Sequence, residues 1–412
     1  MKKKIVILGG GFGGTSVYRH LHRRFHRSSR VEITLVSEKN YFLFTPLLHE
    51  VATGGLNPEN IIEPLRSVIG CCHTNFYEAR VELIDLRKKI VTTTEGKIPY
   101  DTLVVALGSE TNFYGIPGVE KNALTLKSLE DAIRLKNHFI ETCELASKEK
   151  DIEKRKEMLH FVVVGGGPTG VELVAEMQEF LIDTIGKQYD SKLITPYIQC
   201  TLAQNQSEIL TQFDPRVRTK SLHALEKKGI RVLLHTTITS ITPTRVHTKQ
   251  RKPLHARTVI WTAGVQPRSV TFNRAVPQLT NKKLLVTASL QLKDNPDIFV
   301  LGDMMAVETK NVCFPTTAQA ATKEAKSVAN NIAQILRGSD VRPFQFRETG
   351  KLLSIGQWHA IADFKYVVFS GAFAWWLWRT IYLSKIISIR KRIKVAIDWT
   401  FNLFSPRDIS RF

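Results

Sequence analysis

Two stretches of the chain share one design. Residues 4–8 read KIVIL and run into GGGFGGTSVYR; residues 160–164 read HFVVV and run into GGGPTGVELVAE. Each is an apolar, β-branched run followed at once by glycines spaced G-x-G-x-x-G, and then by a helix-like stretch. The first set is Gly9, Gly11 and Gly14, and the second is Gly165, Gly167 and Gly170. A strand this apolar is buried on both faces, which calls for a parallel sheet covered by helices on both sides. The first glycine permits a tight turn, the second lets backbone amides approach a pyrophosphate, and the third lets the helix pack close to the strand. The phosphates then sit at the helix N-terminus, where unpaired N–H groups and the dipole favour negative charge. The expected fold class is α/β, with two Rossmann-like, doubly wound dinucleotide-binding domains.

The strands that follow complete both units. VEITLV (31–36) ends at Ser37-Glu38, so Glu38 is expected to accept from the adenine ribose hydroxyls. IQCTLA (198–203) ends at Gln204, and the next acid is Glu208. Two fingerprints mean two dinucleotides, most simply a flavin and a nicotinamide arranged for hydride transfer. PYDTLVVALGSETN (99–112) is a strand ending in Ala106-x-Gly108, and HARTVIWTAGVQP (255–267) matches it with Ala263-Gly264. NPDIFVLGDMMAV (295–307) ends in Gly302-Asp303, where the Asp can accept from a flavin's ribityl hydroxyl and the Gly permits close approach. These runs place an FAD-binding domain over 1–112 and 265–350, an NAD(P)H-binding domain over 113–264, and a C-terminal membrane-anchor region over 351–412.

At 412 residues the chain exceeds one average core. Its 58 Lys+Arg against 38 Asp+Glu give a net charge of +20, which points to an anionic partner. Much of the excess lies at the end: from residue 351 there are ten Lys/Arg and three Asp, and four of the six Trp fall between residues 369 and 412. The charge-free run between Lys365 and Arg379 is too short for the ~20 apolar residues of a span. On a helical wheel Ile389, Ile393, Ala396, Ile397, Thr400 and Phe404 share one side, and Lys391, Lys394, Asp398 and Asn402 the other. With Trp375, Trp376, Trp378 and Trp399 at hand, this describes an amphipathic anchor lying in the plane of an anionic lipid surface. The opening MKKKIVILGGG is too short in its apolar run for a signal peptide, so the N-terminus is read as mature and cytoplasmic. Cysteines at 71, 72, 143, 200 and 313 form no C-x-x-C, so neither a metal site nor a local redox disulfide is expected.

Five motifs carry a resemblance over nearly the whole chain: NYFLFTPLLHEVATG (40–54), ALGSETNFYGIPGV (106–119), GGGPTGVELVAE (165–176), LGDMMAV (301–307) and PTTAQAATKEA (315–325). With these the chain resembles the type II NADH dehydrogenases, single-subunit NADH:quinone oxidoreductases of the two-dinucleotide-binding flavoprotein superfamily. The resemblance implies FAD held non-covalently by Gly9, Gly11, Phe12, Gly13, Gly14, Ser37, Glu38, Thr45, Ala106, Gly108, Gly302, Asp303 and Ala318, with Val81 meeting the adenine through its backbone. It implies NADH, or NADPH, at Gly165, Gly167, Pro168, Thr169, Gly170, Gln204 and Gly264. Glu172 and Gln319 are then the catalytic residues, with Ala318 and Gln319 lining the flavin ring and the quinone end. Glu172 is also expected, from its place in the first turn of its helix, to lie near the nicotinamide-facing surface. The partners implied are a quinone and the membrane surface, with a homodimer allowed and no proton pumping. The location implied is peripheral, monotopic, on the cytoplasmic face of a bacterial inner membrane. Lys323-Glu324 departs from the family's pattern by putting charge where amides are usual.

Three other classes compete. A disulfide reductase lacks its paired cysteines here. A sulfide:quinone oxidoreductase needs cysteines flanking the flavin, for which Cys143 and Cys313 are the remote candidates. An NADH-sensing protein that binds nucleic acid through its charge needs no quinone motif, and the clustering of charge beside tryptophans favours lipid over nucleic acid. Gln204 carries a consequence for the cofactor, since an acid there would repel a 2′-phosphate and Gln does not. The ratio of kcat/KM for NADH over NADPH is therefore expected to stay below about a thousandfold, or ~4 kcal/mol; steady-state kinetics with both cofactors measure it.

Overall fold

The apolar runs around both glycine clusters form parallel sheets, as their β-branched composition requires. The structure is a computed structural model and describes residues 2–70, 74–189, 193–308, 314–364 and 366–411. The chain opens with β1 (Lys3–Leu8), α1 (Phe12–Phe25) and β2 (Val31–Ser37), then α2 (Leu48–Ala52), β3 (Thr74–Glu78) and β4 (Thr102–Val105). It continues through α3 (Leu129–Lys148), β5 (His160–Val164), α4 (Pro168–Glu179), β6 (Gln199–Ala203), β7 (Arg231–Leu233) and β8 (Thr258–Trp261). After β9 (Asn295–Val300) and α5 (Ala318–Ile335) come β10 (Lys351–Ser354), β11 (Ala360–Asp363), β12 (Val368–Gly371), α6 (Ala372–Lys385) and α7 (Ile389–Phe404).

Two compact units divide these elements. One comprises Met1–Leu43, Ile62–Glu110 and Val265–Glu348; the other comprises Phe44–Ile61, Thr111–Gly264 and Thr349–Phe412. The chain passes between the units at 110–111 and 264–265, near the A-x-G and A-G strand ends. The grouping differs from the expected boundaries in two segments. Residues 44–61, including Thr45, and the C-terminal residues from 349 group with the second nucleotide-type unit.

In the first unit the parallel order is β9-β4-β1-β2-β3, within an eight-stranded sheet. Leu8 pairs with Val36 on one side and Val105 on the other, so three strand ends meet at the first glycine turn. In the second unit the order is β8-β5-β6-β7, again parallel, with Val164 beside Ala203 and Trp261 at the second turn. Every residue of β4, β5 and β8 is buried. The last segment of this unit folds β10, β11 and β12 into an antiparallel sheet against which α6 packs.

Helices α6 and α7 form in the C-terminal region, and one expectation for them is corrected. Of the four tryptophans expected at the lipid surface, Trp375, Trp378 and Trp399 are buried and only Trp376 is exposed. Helix α7 is inverted relative to an ordinary surface helix. Its polar side is the bonded one: Asp398 accepts from the Asn57 and Asn60 side chains, Asn402 donates to the Gly55 carbonyl and Lys391 to the Glu59 carbonyl. Its apolar side faces outward, with Ile389 71 %, Phe401 67 % and Phe404 85 % exposed.

Candidate functional site

The two glycine turns are the same object built twice. Gly9 and Gly165 adopt φ of +110° and +114°, and each donates its N–H to the end of the neighbouring strand, at Val36 and Ala203, over 2.8 Å. A methyl group on Gly14 would lie 1.9 Å from the Gly9 carbonyl oxygen, and one on Gly170 would lie 1.9 Å from that of Gly165. Only glycine allows helix and strand to approach this closely. Gly11 and Gly167 differ: a Cβ at either meets no atom within 4 Å, so the space above both helix ends is open. Neither helix has a capping side chain or an acid in its first turn. Two positive helix ends are thus left with bare N–H groups facing open space, which fits the pyrophosphate of a dinucleotide in each unit.

The ends of the second strands diverge. Glu38 is half-exposed and accepts from the Arg268 guanidinium. Gln204 is turned inward: its Oε1 accepts from Gly166 N–H at 3.1 Å, and its Nε2 donates to Gln206 Oε1 and to the Glu208 carbonyl, both at 3.2 Å. Its amide therefore holds the glycine turn in shape. The nearby Glu208 pairs with Arg218.

The remaining expected FAD residues, Thr45 apart, lie in the first unit. Ala106 sits against Gly9, and Gly108 takes φ +76° with open space above it. Phe12 meets Phe42 edge to face at 4.9 Å, and Val81 opens the strand Val81–Asp85. Asp303 accepts from Ser109 Oγ. Lys323 and Glu324 go opposite ways. Lys323 donates to the Arg347 carbonyl and lies over the Phe346 ring, whereas Glu324 is buried and accepts from Gly302 N–H at 2.6 Å. Burial pushes the Glu324 carboxyl up to about 7. Ala318 and Gln319 open α5, capped by Thr317 Oγ1.

Glu172 lies one residue beyond the first turn of α4, a correction to its expected place, since that turn holds no acid. Its Oε1 accepts from Ser354 N–H at 3.2 Å, and its Oε2 is 3.9 Å from His49 Nδ1. Around it lies a buried charge cluster that the sequence reading missed. Glu176 and Glu179 follow Glu172 at i+4 and i+7, so one face of α4 carries three carboxyls. Arg407 donates to Glu176 at 2.6 Å, lies 3.6 Å from Glu179, and donates to Thr53 Oγ1 at 3.1 Å. Lys228 pairs with Glu179, which also accepts from Gln357 N–H at 2.9 Å. Glu50 accepts from Trp399 Nε1 at 2.5 Å. Arg379 stacks 3.6 Å from the Trp375 ring centre and 4.9 Å from that of Trp399. The i, i+4, i+7 spacing of acids was the visible signal; its counter-charges lie on segments distant in sequence.

Burial dominates the titration of this cluster. It raises Glu172 to about 8, helped by the charges of Glu176 and Glu50 and opposed by the Ser354 hydrogen bond. It raises Glu50 and Glu179 to about 7. It lowers His49 to about 4, so the ring is neutral and its 3.9 Å approach to Glu172 is not an ion pair. Glu176 is the exception: burial pushes its carboxyl up, but the guanidinium of Arg407 first, and then that of Arg379, hold it below its usual range. Glu172 therefore keeps a proton at neutral pH while Glu176 does not. Cys143 is buried and its thiol is pushed up to about 12, so it is no thiolate nucleophile; Cys71, Cys72 and Cys313 lie outside the described residues.

The family model of the pyridine nucleotide-disulphide oxidoreductases matches residues 3–325, and that of the NDH2 C-terminal domain matches 349–408. A Dictyostelium discoideum protein named as a probable NADH dehydrogenase is 31% identical over 100% of this chain and 91% of its own length. The external alternative NADH-ubiquinone oxidoreductase of Yarrowia lipolytica mitochondria is 30% identical over 100% of this chain and 81% of its own. Among solved structures, NDH2 from Plasmodium falciparum in complex with NADH superposes with a TM-score of 0.92 at 23% identity, over 100% of both chains.

The raised carboxyl of Glu172 makes stability depend on pH. The folded state holds a proton there that the unfolded chain has released above its ordinary value near 4.5, so this contribution is full below that value and lost as pH rises through about 8. Glu172→Gln removes the effect without changing shape. Between pH 6 and 8.5 the wild type is expected to lose about 2 kcal/mol more stability than the variant, read from denaturant midpoints.

Proposed function

Because the chain belongs to the type II NADH dehydrogenase family of the pyridine nucleotide-disulphide oxidoreductases, we propose that it is a peripheral membrane flavoenzyme that oxidises NADH and reduces a membrane quinone. The observation that carries this reading is the pair of open, uncapped glycine turns, one in each unit. One turn suits FAD and the other NADH. When bound, FAD would supply the redox chemistry, accepting a hydride from NADH and passing two electrons on to the quinone, which would take up two protons.

The chain's own groups bind, orient and hold protons. The amides at Gly11–Gly14 and Gly167–Gly170 hold the pyrophosphates. Glu38 serves the FAD ribose with Arg268 steadying it, and Gln204 supports the NADH turn from behind. Asp303, held by Ser109, stands at the Gly302 turn for the ribityl chain. Glu172 carries a proton on its carboxyl at neutral pH, and its side chain keeps 13 % exposure, so that proton is reachable. Gln319, at the start of α5, supplies a neutral amide for the flavin and quinone carbonyls.

The outward Ile and Phe side chains of α7, joined by Phe373 and Trp376 of α6, form the apolar contact with lipid. No helix among the described residues is long and apolar enough to cross a membrane. The net charge of +20 suits an anionic leaflet such as the cytoplasmic face of a bacterial inner membrane.

Anaerobic NADH is expected to bleach the flavin absorbance of the purified protein, and ubiquinone or menaquinone analogues to restore it. A colourless protein that cannot be reconstituted with FAD refutes the reading. Ile393→Asp with Phe401→Asp is expected to abolish sedimentation with vesicles containing phosphatidylglycerol, while NADH oxidation by a water-soluble quinone is retained. Unchanged sedimentation refutes the lipid face.

A further inference from the structure

The buried cluster on α4 has an uneven composition. It holds four carboxyls, Glu50, Glu172, Glu176 and Glu179, against three cations, Arg379, Arg407 and Lys228, with His49 neutral. Three of the carboxyls have a cation or its immediate neighbourhood. Glu176 has Arg407 at 2.6 Å, Glu179 has Lys228 and Arg407, and Glu50 feels Arg379 through the Trp399 stack. Glu172 is the fourth; among the described residues its partners are a backbone N–H and the neutral His49, with no arginine or lysine in ion-pair range. A buried ion is stable only when paired, so of the four carboxyls it is Glu172, which no cation's charge reaches, that holds its proton most firmly.

Resting on the reading of Glu172 as the proton carrier, we propose that Arg407 is a positioning residue for that proton: by keeping Glu176 ionised one helical turn away, it confines the cluster's proton to Glu172. The guanidinium is well built for this. It is forked over Glu176 and Glu179, and its other nitrogen donates to Thr53 Oγ1. The tail that carries it is strapped down just beyond it, by Asp408 on Lys136 at 3.0 Å and by Arg411 on Glu141 at 3.3 Å. Every group facing the pair enters the balance: His49 and Glu50 from α2, Glu172 and Glu179 from α4, Arg379 and Tyr382 from α6, Trp399 from α7, and Lys228 from the end of the helix Pro215–Lys227. The negative charge on Glu176 is one of the forces holding the Glu172 proton. Removing a cation that never touches Glu172 should therefore make Glu172 more acidic, opposite to the usual effect of losing a nearby positive charge. The sign is the same whether the freed cluster puts its new proton on Glu176 or on His49. The first outcome removes a neighbouring negative charge, and the second adds a positive one.

The test is infrared titration of the protonated carboxyl band of the full-length, FAD-loaded protein between pH 5 and 10, the Glu172 band being the one absent from Glu172→Gln. In Arg407→Gln its midpoint is expected to fall by about one pH unit or more, whereas Arg407→Lys keeps it near the wild-type value. The pH profile of quinone turnover moves with it. A midpoint that stays or rises in Arg407→Gln overturns the proposal. Where Arg407→Gln does not fold, Glu176→Gln removes the negative charge directly and must also lower the midpoint; an unchanged midpoint there overturns it equally. The infrared band reports on the proton with or without quinone. A normal band response with no quinone reduction would therefore fault the proposed activity and leave the role of Arg407 standing.

Discussion

Burying three carboxyls along one helix face with a fourth beside them is tolerable only if opposite charges are delivered to them, and this requirement organises the second unit. Helix α4 brings Glu172, Glu176 and Glu179; α2 adds Glu50; and the counter-ions come from Arg379 on α6 and Arg407 beyond α7. An isolated ion in such surroundings costs several kcal/mol, so each element is held in place by the charge it must meet. The C-terminal segment is thereby part of the unit's interior. Trp375 and Trp399 serve the same purpose, shielding Arg379 with their rings, and Trp399 gives Glu50 a hydrogen bond.

The same anchoring explains why α7 shows its apolar side. Asp398, Asn402 and Lys391 are occupied with carbonyls and amides of the segment 55–60, so the polar stripe is spent inward. The Ile and Phe stripe is what remains, and a large exposed apolar face on a folded unit marks a surface for lipid or a partner. Binding strength at such a face grows with apolar area and with attraction to anionic headgroups, and this chain offers both.

The two glycine turns are built alike down to the 1.9 Å closeness at Gly14 and Gly170, yet their rims differ. In the first unit the residue following the second strand is an acid held by an arginine. In the second it is an amide folded back onto the turn itself. The absence of a carboxylate at Gln204 was plain in the sequence; its use as a brace was not, because its partners Gly166, Gln206 and Glu208 become neighbours only when the loop closes.

Local pattern alone determined the parallel sheets, both glycine turns, the switch points near 110 and 264, and the amphipathic tail. Each of these is written in short-range spacing, and backbone sterics and strand burial act at that range. Tertiary structure alone decided which charges meet. Glu172 lies 182 residues from the amide of Ser354, Glu176 lies 231 from Arg407, and Glu50 lies 349 from Trp399. It also decided that three tryptophans turn inward, that Glu324 parts from Lys323, and that residues 44–61 join the second unit. The physical reason is that a proton's affinity for a carboxyl depends on desolvation and on charges within a few ångströms, and those neighbours are assembled by the fold from segments with no sequence relation to one another.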